Sequence, residues 1–242
     1  MLDNFMVHRA FEAALLDPVT LQNVTGVRGQ NVNMLWLGDR SRNLIGLDND
    51  GQCQVVELTP DGVATLAYLP GEEIPVDVMP DGTVVTISTF DDDFDRKQVR
   101  LRRDKATFGG IVMGNLLRNS VTSTHDRLFV LEYIGSGSGV NQRRLYCFDV
   151  ACETPRWQLA LPRPNVNTHT KPVVCRNGEL IIVDGDDSLV IVDGNDGHVV
   201  YEQRRNFYRQ HLAGPAIVVV RQESPLTFVT HANGVQVHFI NI

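Results

Sequence analysis

The feature that most constrains this chain is a pattern of short apolar runs and polar turns that begins near residue 30. The stretch LIIVDGDDSLVIVDGNDGHVVY, from Leu180 to Tyr201, shows it most clearly. Its apolar runs are rich in Val and Ile, too short for helices and well suited to strands. The interruptions DGDDS and DGNDG carry turn chemistry. Gly permits positive φ, and Asp and Asn side chains bond back to the turn backbone.

The pattern repeats. One copy reads KPVVC, ELIIV, LVIVD and HVVYEQ, separated by glycine- or aspartate-bearing turns. The copy before it reads SVTST, RLFVLEY, RLYCFD and RWQLAL. An earlier one reads IPVDV, TVVTIST and QVRLRRD, and the first reads NMLWLGD, NLIGLD, QCQVVEL and VATLAYL. The last reads GPAIVVV, PLTFVTH and VQVHFINI. The first-strand anchors Met34, Val76, Val121, Val173 and Ile217 recur at roughly 40–50 residues, the period of propeller blades. A single four-stranded meander cannot bury both of its faces, whereas stacking several of them does so. The expected fold is all-β, a β-propeller of about five four-stranded blades. A β-sandwich uses the same strand pattern and is the alternative.

Residues 32–242 are expected to form this single domain, with residues 1–31 as an N-terminal helix and a closing segment. Leu2, Phe5, Met6, Ala10, Ala13 and Leu16 fall at helical spacing, Asp3 is a capping residue, and Asp17-Pro18 is a stop. The last copy has three strands, and the segment around Leu21–Val27 is the expected source of a fourth.

LYCFDVACETPRWQL and PVVCRNGELIIVDGDDSLVIVDGNDGHVVYE resemble blades of the quinoprotein-like, or PQQ-repeat, propellers. Pro172-Val173-Val174 matches that blade's first strand. Leu145, Tyr146, Phe148 and Asp149 match its third, Thr154 its turn and Trp157 its outer strand. Asp193 and Tyr201 hold the equivalent places in the next copy. The resemblance implies a fold and no cofactor. Quinoprotein dehydrogenases are longer and use a calcium site and an adjacent disulfide, and this chain has no Cys-Cys pair.

Asp and Glu total 29 against 22 Lys and Arg, a formal net charge of −7. That balance opposes non-specific nucleic-acid binding, which calls for basic surfaces. The start MLDNFMVHRAFEAALLD lacks the basic region and continuous apolar run of a signal peptide, and no run is long enough to span a bilayer. A cytoplasmic protein or a virion component is expected. Cys53, Cys147, Cys152 and Cys175 show no zinc-ligand spacing and are expected as free thiols.

Four groups of residues are candidates for chemistry. The acidic clusters fail the calcium-loop spacing, which needs Gly at position six and Glu at position twelve, so they are read as turns. His169 and His211 each precede the first strand of a repeat, where two imidazoles from adjacent blades can meet at a channel as acid, base or metal ligands. His125, His231 and His238 lie elsewhere in their repeats. In FDDDFDRKQVRLRRDK, Asp91, Asp92, Asp93 and Asp95 precede Arg96, Lys97, Arg100, Arg102 and Arg103. Alternation puts Arg100 and Arg102 on one strand face and Val99 and Leu101 on the other. An outer strand charged on one face blunts an exposed edge, and it also offers an electrostatic contact to a partner. GSGSG at 135–139 lacks a phosphate-loop lysine and reads as a hairpin tip.

The expected role is a non-catalytic protein-interaction scaffold or assembly subunit. The alternatives are a phage tail or baseplate component, and a small propeller hydrolase or lyase using His169 and His211. No cofactor is expected, and the expected partners are proteins.

Overall fold

The computed structural model describes residues 5–9, 12–17, 19–28, 31–35, 43–49, 52–70, 73–90, 93–103, 106–114, 116, 120–134, 142–150, 152–161, 172–175, 178–184, 188–204, 217–221, 226–230 and 236–240. These residues form six antiparallel sheets, each a meander of consecutive strands. A sandwich of two large sheets does not describe them. By contacts the chain divides into two compact units, Met1–Val112 and Met113–Ile242.

In the first unit, the first sheet joins β1 (Phe5–Arg9), β2 (Glu12–Leu16) and β3 (Asn23–Arg28). The second joins β4 (Asn31–Leu35), β5 (Asn43–Asn49), β6 (Gln52–Thr59) and β7 (Gly62–Leu69). The third joins β8 (Ile74–Val78), β9 (Val84–Phe90), β10 (Asp93–Arg103) and β11 (Ala106–Met113). Strand parity explains why the apolar runs of the second sheet are nearly continuous. Ile45, Leu47, Val56 and Leu58 pack on Ala13 and Leu15 of the first sheet. Leu44, Val55, Ala67 and Leu69 pack with Val78 and Val84 of the third. Both faces are covered, so both parities are apolar.

The expected N-terminal helix is instead the hairpin β1–β2, with Phe5 paired to Leu16 and Arg9 to Glu12. The Ala, Leu and Glu residues that favour a helix yield to packing. Ala13 and Leu15 are buried while Glu12, Ala14 and Leu16 are half-buried, which is a period of two. The segment expected to complete the last blade also pairs elsewhere: β3 lies against β2, with Ala13 opposite Val27.

In the second unit, the fourth sheet joins β12 (Val121–Ser123), β13 (Arg127–Ile134), β14 (Gln142–Asp149) and β15 (Trp157–Leu161). The fifth joins β16 (Val173–Cys175), β17 (Leu180–Asp184), β18 (Ser188–Asp193) and β19 (Val199–Arg204). The sixth joins β20 (Ile217–Arg221), β21 (Leu226–Thr230) and β22 (Gln236–Ile240). Ten buried residues weld the fourth sheet to the fifth, among them Phe129, Leu131 and Leu145 against Ile181, Val183 and Val190. Each such side chain contributes about 1.5–3 kcal/mol on burial, so together they outweigh any single polar tie described below.

Candidate functional site

The arginine-rich strand is the densest charge cluster that the sequence points to. It is β10, the third strand of its sheet, with β11 outside it. It is therefore not the outer strand expected, because ATFGGIVM adds a fourth strand whose central glycines weaken its strand signature. The alternation holds. Val99 and Leu101 are buried, and Arg100 and Arg102 stand opposite Thr86 and Val84. Cross-strand partners share a face, and Val84 packs on the second sheet, so the two arginines lie on that same face.

There they meet Glu73, whose side chain is only 2% exposed. Arg100 Nη1 donates to Glu73 Oε1 at 3.0 Å. Arg102 donates to both carboxylate oxygens through Nε and Nη2, a bidentate fork. The Thr86 hydroxyl donates to Oε2 at 3.0 Å. Burial pushes the Glu73 carboxyl up, but the bonds from Arg102, Thr86 and Arg100 outweigh it and hold the group below the ordinary carboxylate range. Arg102, 11% exposed, is pushed up chiefly by its bond to Glu73. The remaining cations lie further out. Lys97 Nζ donates to the Thr89 hydroxyl at 3.4 Å. Arg103, exposed, donates to the Asp81 carbonyl at 3.1 Å and sits 3.5 Å from its carboxylate. Arg96 is exposed.

Glu73 went unremarked in the sequence because GEEIP reads as a loop. Two arginines on one strand face were the available sign that a counter-charge was needed, and Glu73 stands 27 and 29 positions before them.

A second constellation centres on the DGNDG turn. Asp193 Oδ1 accepts the Asn195 N–H at 2.7 Å, and Asp196 Oδ1 accepts the His198 N–H at 3.0 Å. Gly197 has φ +80°, the left-handed value glycine accommodates. These bonds are the turn chemistry expected of the cluster. Asp193, Asp196 and His198 bring three potential ligand atoms within 4.8 Å of one another. Asp196 Oδ1 is already 2.7 Å from His198 Nδ1, and the Asp196 carboxyl is held low first by the His198 N–H bond. The other cluster, DGDDS, joins the paired strands β17 and β18; residues 185–187 lie outside the described residues.

The same turn anchors the fourth sheet. The Gly194 carbonyl accepts Arg127 Nη1 at 2.9 Å and Trp157 Nε1 at 3.1 Å. Arg127 also donates to Asn195 Oδ1 at 3.2 Å. The Trp157 ring lies so close to Gly197 that a Cβ there would sit 2.7 Å from the indole. A Cβ at Gly194 would sit 1.8 Å from the Gly178 carbonyl oxygen. The glycines therefore permit close approach as well as the turn. Trp157 opens the outer strand β15, Pro172-Val173-Val174 leads into and begins β16, and Leu145 to Asp149 lie in β14, the places that the resemblance implied.

His169, His211 and His231 lie outside the described residues, as does the 135–139 stretch. His125 is exposed, and His238 falls within β22. Cys147 and Cys152 are free thiols. Burial pushes Cys147 up to about 11.

BamB from Moraxella catarrhalis, a PQQ-like β-propeller, matches with a TM-score of 0.53 at 16% identity, covering 98% of this chain and 69% of that one. Hydrazine synthase from Kuenenia stuttgartiensis matches at 0.59 and 12% identity, covering 98% and 80%. The β-propeller domain of Cps50 (Swd1) from Myceliophteria thermophila matches at 0.51 and 12% identity, covering 91% and 73%. In fold, this chain resembles the quinoprotein-like β-propellers. No protein-family model matches the chain, and no curated protein matches it in sequence.

Proposed function

We propose that the chain is a non-catalytic β-propeller scaffold, each of the six sheets among the described residues serving as one blade, that presents loops to a protein partner within a larger assembly. The observation that supports this most is the series of like sheets, the fourth tied to the fifth through the Gly194 carbonyl. Stacked sheets of this kind make a rigid scaffold, and surfaces carried on a rigid scaffold are where binding concentrates. The cations singled out in the sequence fit this reading unequally. Arg100 and Arg102 serve the fold through Glu73, and the exposed Arg96 and Arg103 are the ones placed to meet a partner. Affinity purification of the tagged chain from its native host, with light scattering on the purified complex, tests the proposal. A complex of defined stoichiometry is expected. A chain that remains monomeric and brings down nothing reproducibly overturns it.

A further inference from the structure

The turn between β2 and β3 presents apolar side chains to water from a rigid and strained backbone. Asp17 Oδ1 accepts the Val19 N–H at 2.9 Å, the Thr20 N–H at 2.7 Å and the Thr20 hydroxyl at 3.0 Å. The Thr20 and Val19 N–H bonds hold the Asp17 carboxyl below its ordinary range. The Leu21 N–H donates to the Asp17 carbonyl at 2.9 Å, and the Asp17 N–H donates to the Gln22 carbonyl at 3.0 Å. The turn is thus closed on itself by five bonds through Asp17.

On this frame Val19 is 81% exposed, Leu21 64% and Val24 40%. Three of the seven large exposed apolar side chains among the described residues therefore fall within six positions of one turn. Leu21 has φ +57°, the left-handed region in which a Cβ crowds the backbone carbonyl. Gly or Asn satisfies the same turn with less strain. The geometry requires the left-handed conformation at this position, and it does not require leucine. In the isolated chain an exposed leucine there gains nothing to offset the strain. A partner's apolar pocket does offset it, and a side chain already held in its bound conformation loses little freedom on docking.

We infer that Val19 and Leu21 form a preorganised knob that docks into an apolar pocket with a basic rim on a partner protein, an inference that rests on the scaffold reading above. Charge decides the occupant. Residues 17–22 carry Asp17 and no Lys or Arg, and the chain as a whole has a net charge of −7. A second copy brings the same charge and the same Asp17. An anionic lipid surface is likewise repelled, whereas a basic-rimmed pocket is attracted.

Replacing Leu21 with a photo-crosslinking amino acid in the native host, with the exposed Glu153 as a control position, identifies what covers the turn. One protein captured from position 21 and not from 153 is expected. Purified, it binds the wild-type chain, binds Leu21→Asn and Val19→Ser at least about tenfold more weakly, and binds less tightly as salt rises. Leu21→Asn keeps or raises the thermal midpoint, by up to about 2–4 °C, which separates a docking role from a folding role. Capture of a second copy, binding to phosphatidylglycerol vesicles that Leu21→Asn abolishes, or unchanged partner affinity in both variants overturns the inference. If a partner is captured from other loops and not from this turn, the knob fails and the scaffold reading stands. If no position captures a partner, both fail.

Discussion

At the entry to the third sheet the polar tie is ionic: one buried carboxylate, Glu73, just before β8, holds two arginines of β10 and the Thr86 hydroxyl of β9. Between the fourth and fifth it is a backbone carbonyl, Gly194, that accepts a guanidinium and an indole N–H. The first tie depends on a side chain that titrates, and the second on a peptide group that does not. The first can be broken by removing one charge. The second is broken most readily by adding a methyl group, since a Cβ at Gly197 would sit 2.7 Å from the Trp157 indole of the fourth sheet. A tie within one sheet and a tie between two thus fail in different ways.

The largest effect is expected at the ionic tie. Glu73→Gln leaves two arginines facing an uncharged amide in a buried place. Removing one partner of a buried ion pair lowers stability by about 3–5 kcal/mol, measured by urea denaturation at neutral pH. Replacing Glu73, Arg100 and Arg102 together with apolar residues of similar volume is expected to recover most of that loss. A triple variant as unstable as the single one would show that the loss does not come from unpaired buried charge.

Gly194→Ala comes next. Its methyl group would meet the Gly178 carbonyl, a backbone atom that cannot rotate away, and a loss of about 1–3 kcal/mol is expected. Trp157→Phe keeps most of the ring and removes the bond to Gly194, for about 1 kcal/mol. A Gly194→Ala chain as stable as the parent would show that the Gly178 and Gly194 turns of the fifth sheet are not in close contact.

Acid sharpens the contrast. The Glu73 carboxyl is lower in the folded chain than the roughly 4.3 of an unfolded glutamate. Its contribution is therefore complete above that unfolded value and is lost as pH falls through the lower folded value. Denaturation followed from pH 7 down to about 3 should show a decline in the parent that is shallower in Glu73→Gln. Trp157→Phe should decline in parallel with the parent. The smallest effect is kinetic. Cys152 is exposed, with its thiol pKa lowered first by the Thr154 hydroxyl, while Cys147 is buried and pushed up to about 11. A thiol reagent at pH 8 should modify Cys152 rapidly and Cys147 only on unfolding.

Much of the architecture was legible because short apolar runs of β-branched residues, bounded by Gly, Asn and Asp, have few alternatives to a β-meander. The strands of the second, fourth and fifth sheets fall where the repeat puts them. The failures also have physical causes. FEAALL carries the residues of a good helix, and only the neighbouring Ile45 and Val56 make its alternate burial worthwhile. In ATFGGIVM, adjacent glycines hid a strand that pairing along β10 supports. Turn chemistry at DGNDG was readable because Asp–backbone bonds are local. Its second task, receiving Arg127 and Trp157, was not, because those residues lie 67 and 37 positions away in the chain.

The sequence by itself determined the period, the strand alternation and the turns, since each depends on bonds and sterics within a few residues. Only the tertiary structure decided that residues 5–16 are strands, that Arg100 and Arg102 face Glu73, and that Leu21 is held in a left-handed conformation in the open. Each of these depends on what the rest of the fold places beside the residue or leaves uncovered, and no local pattern records that.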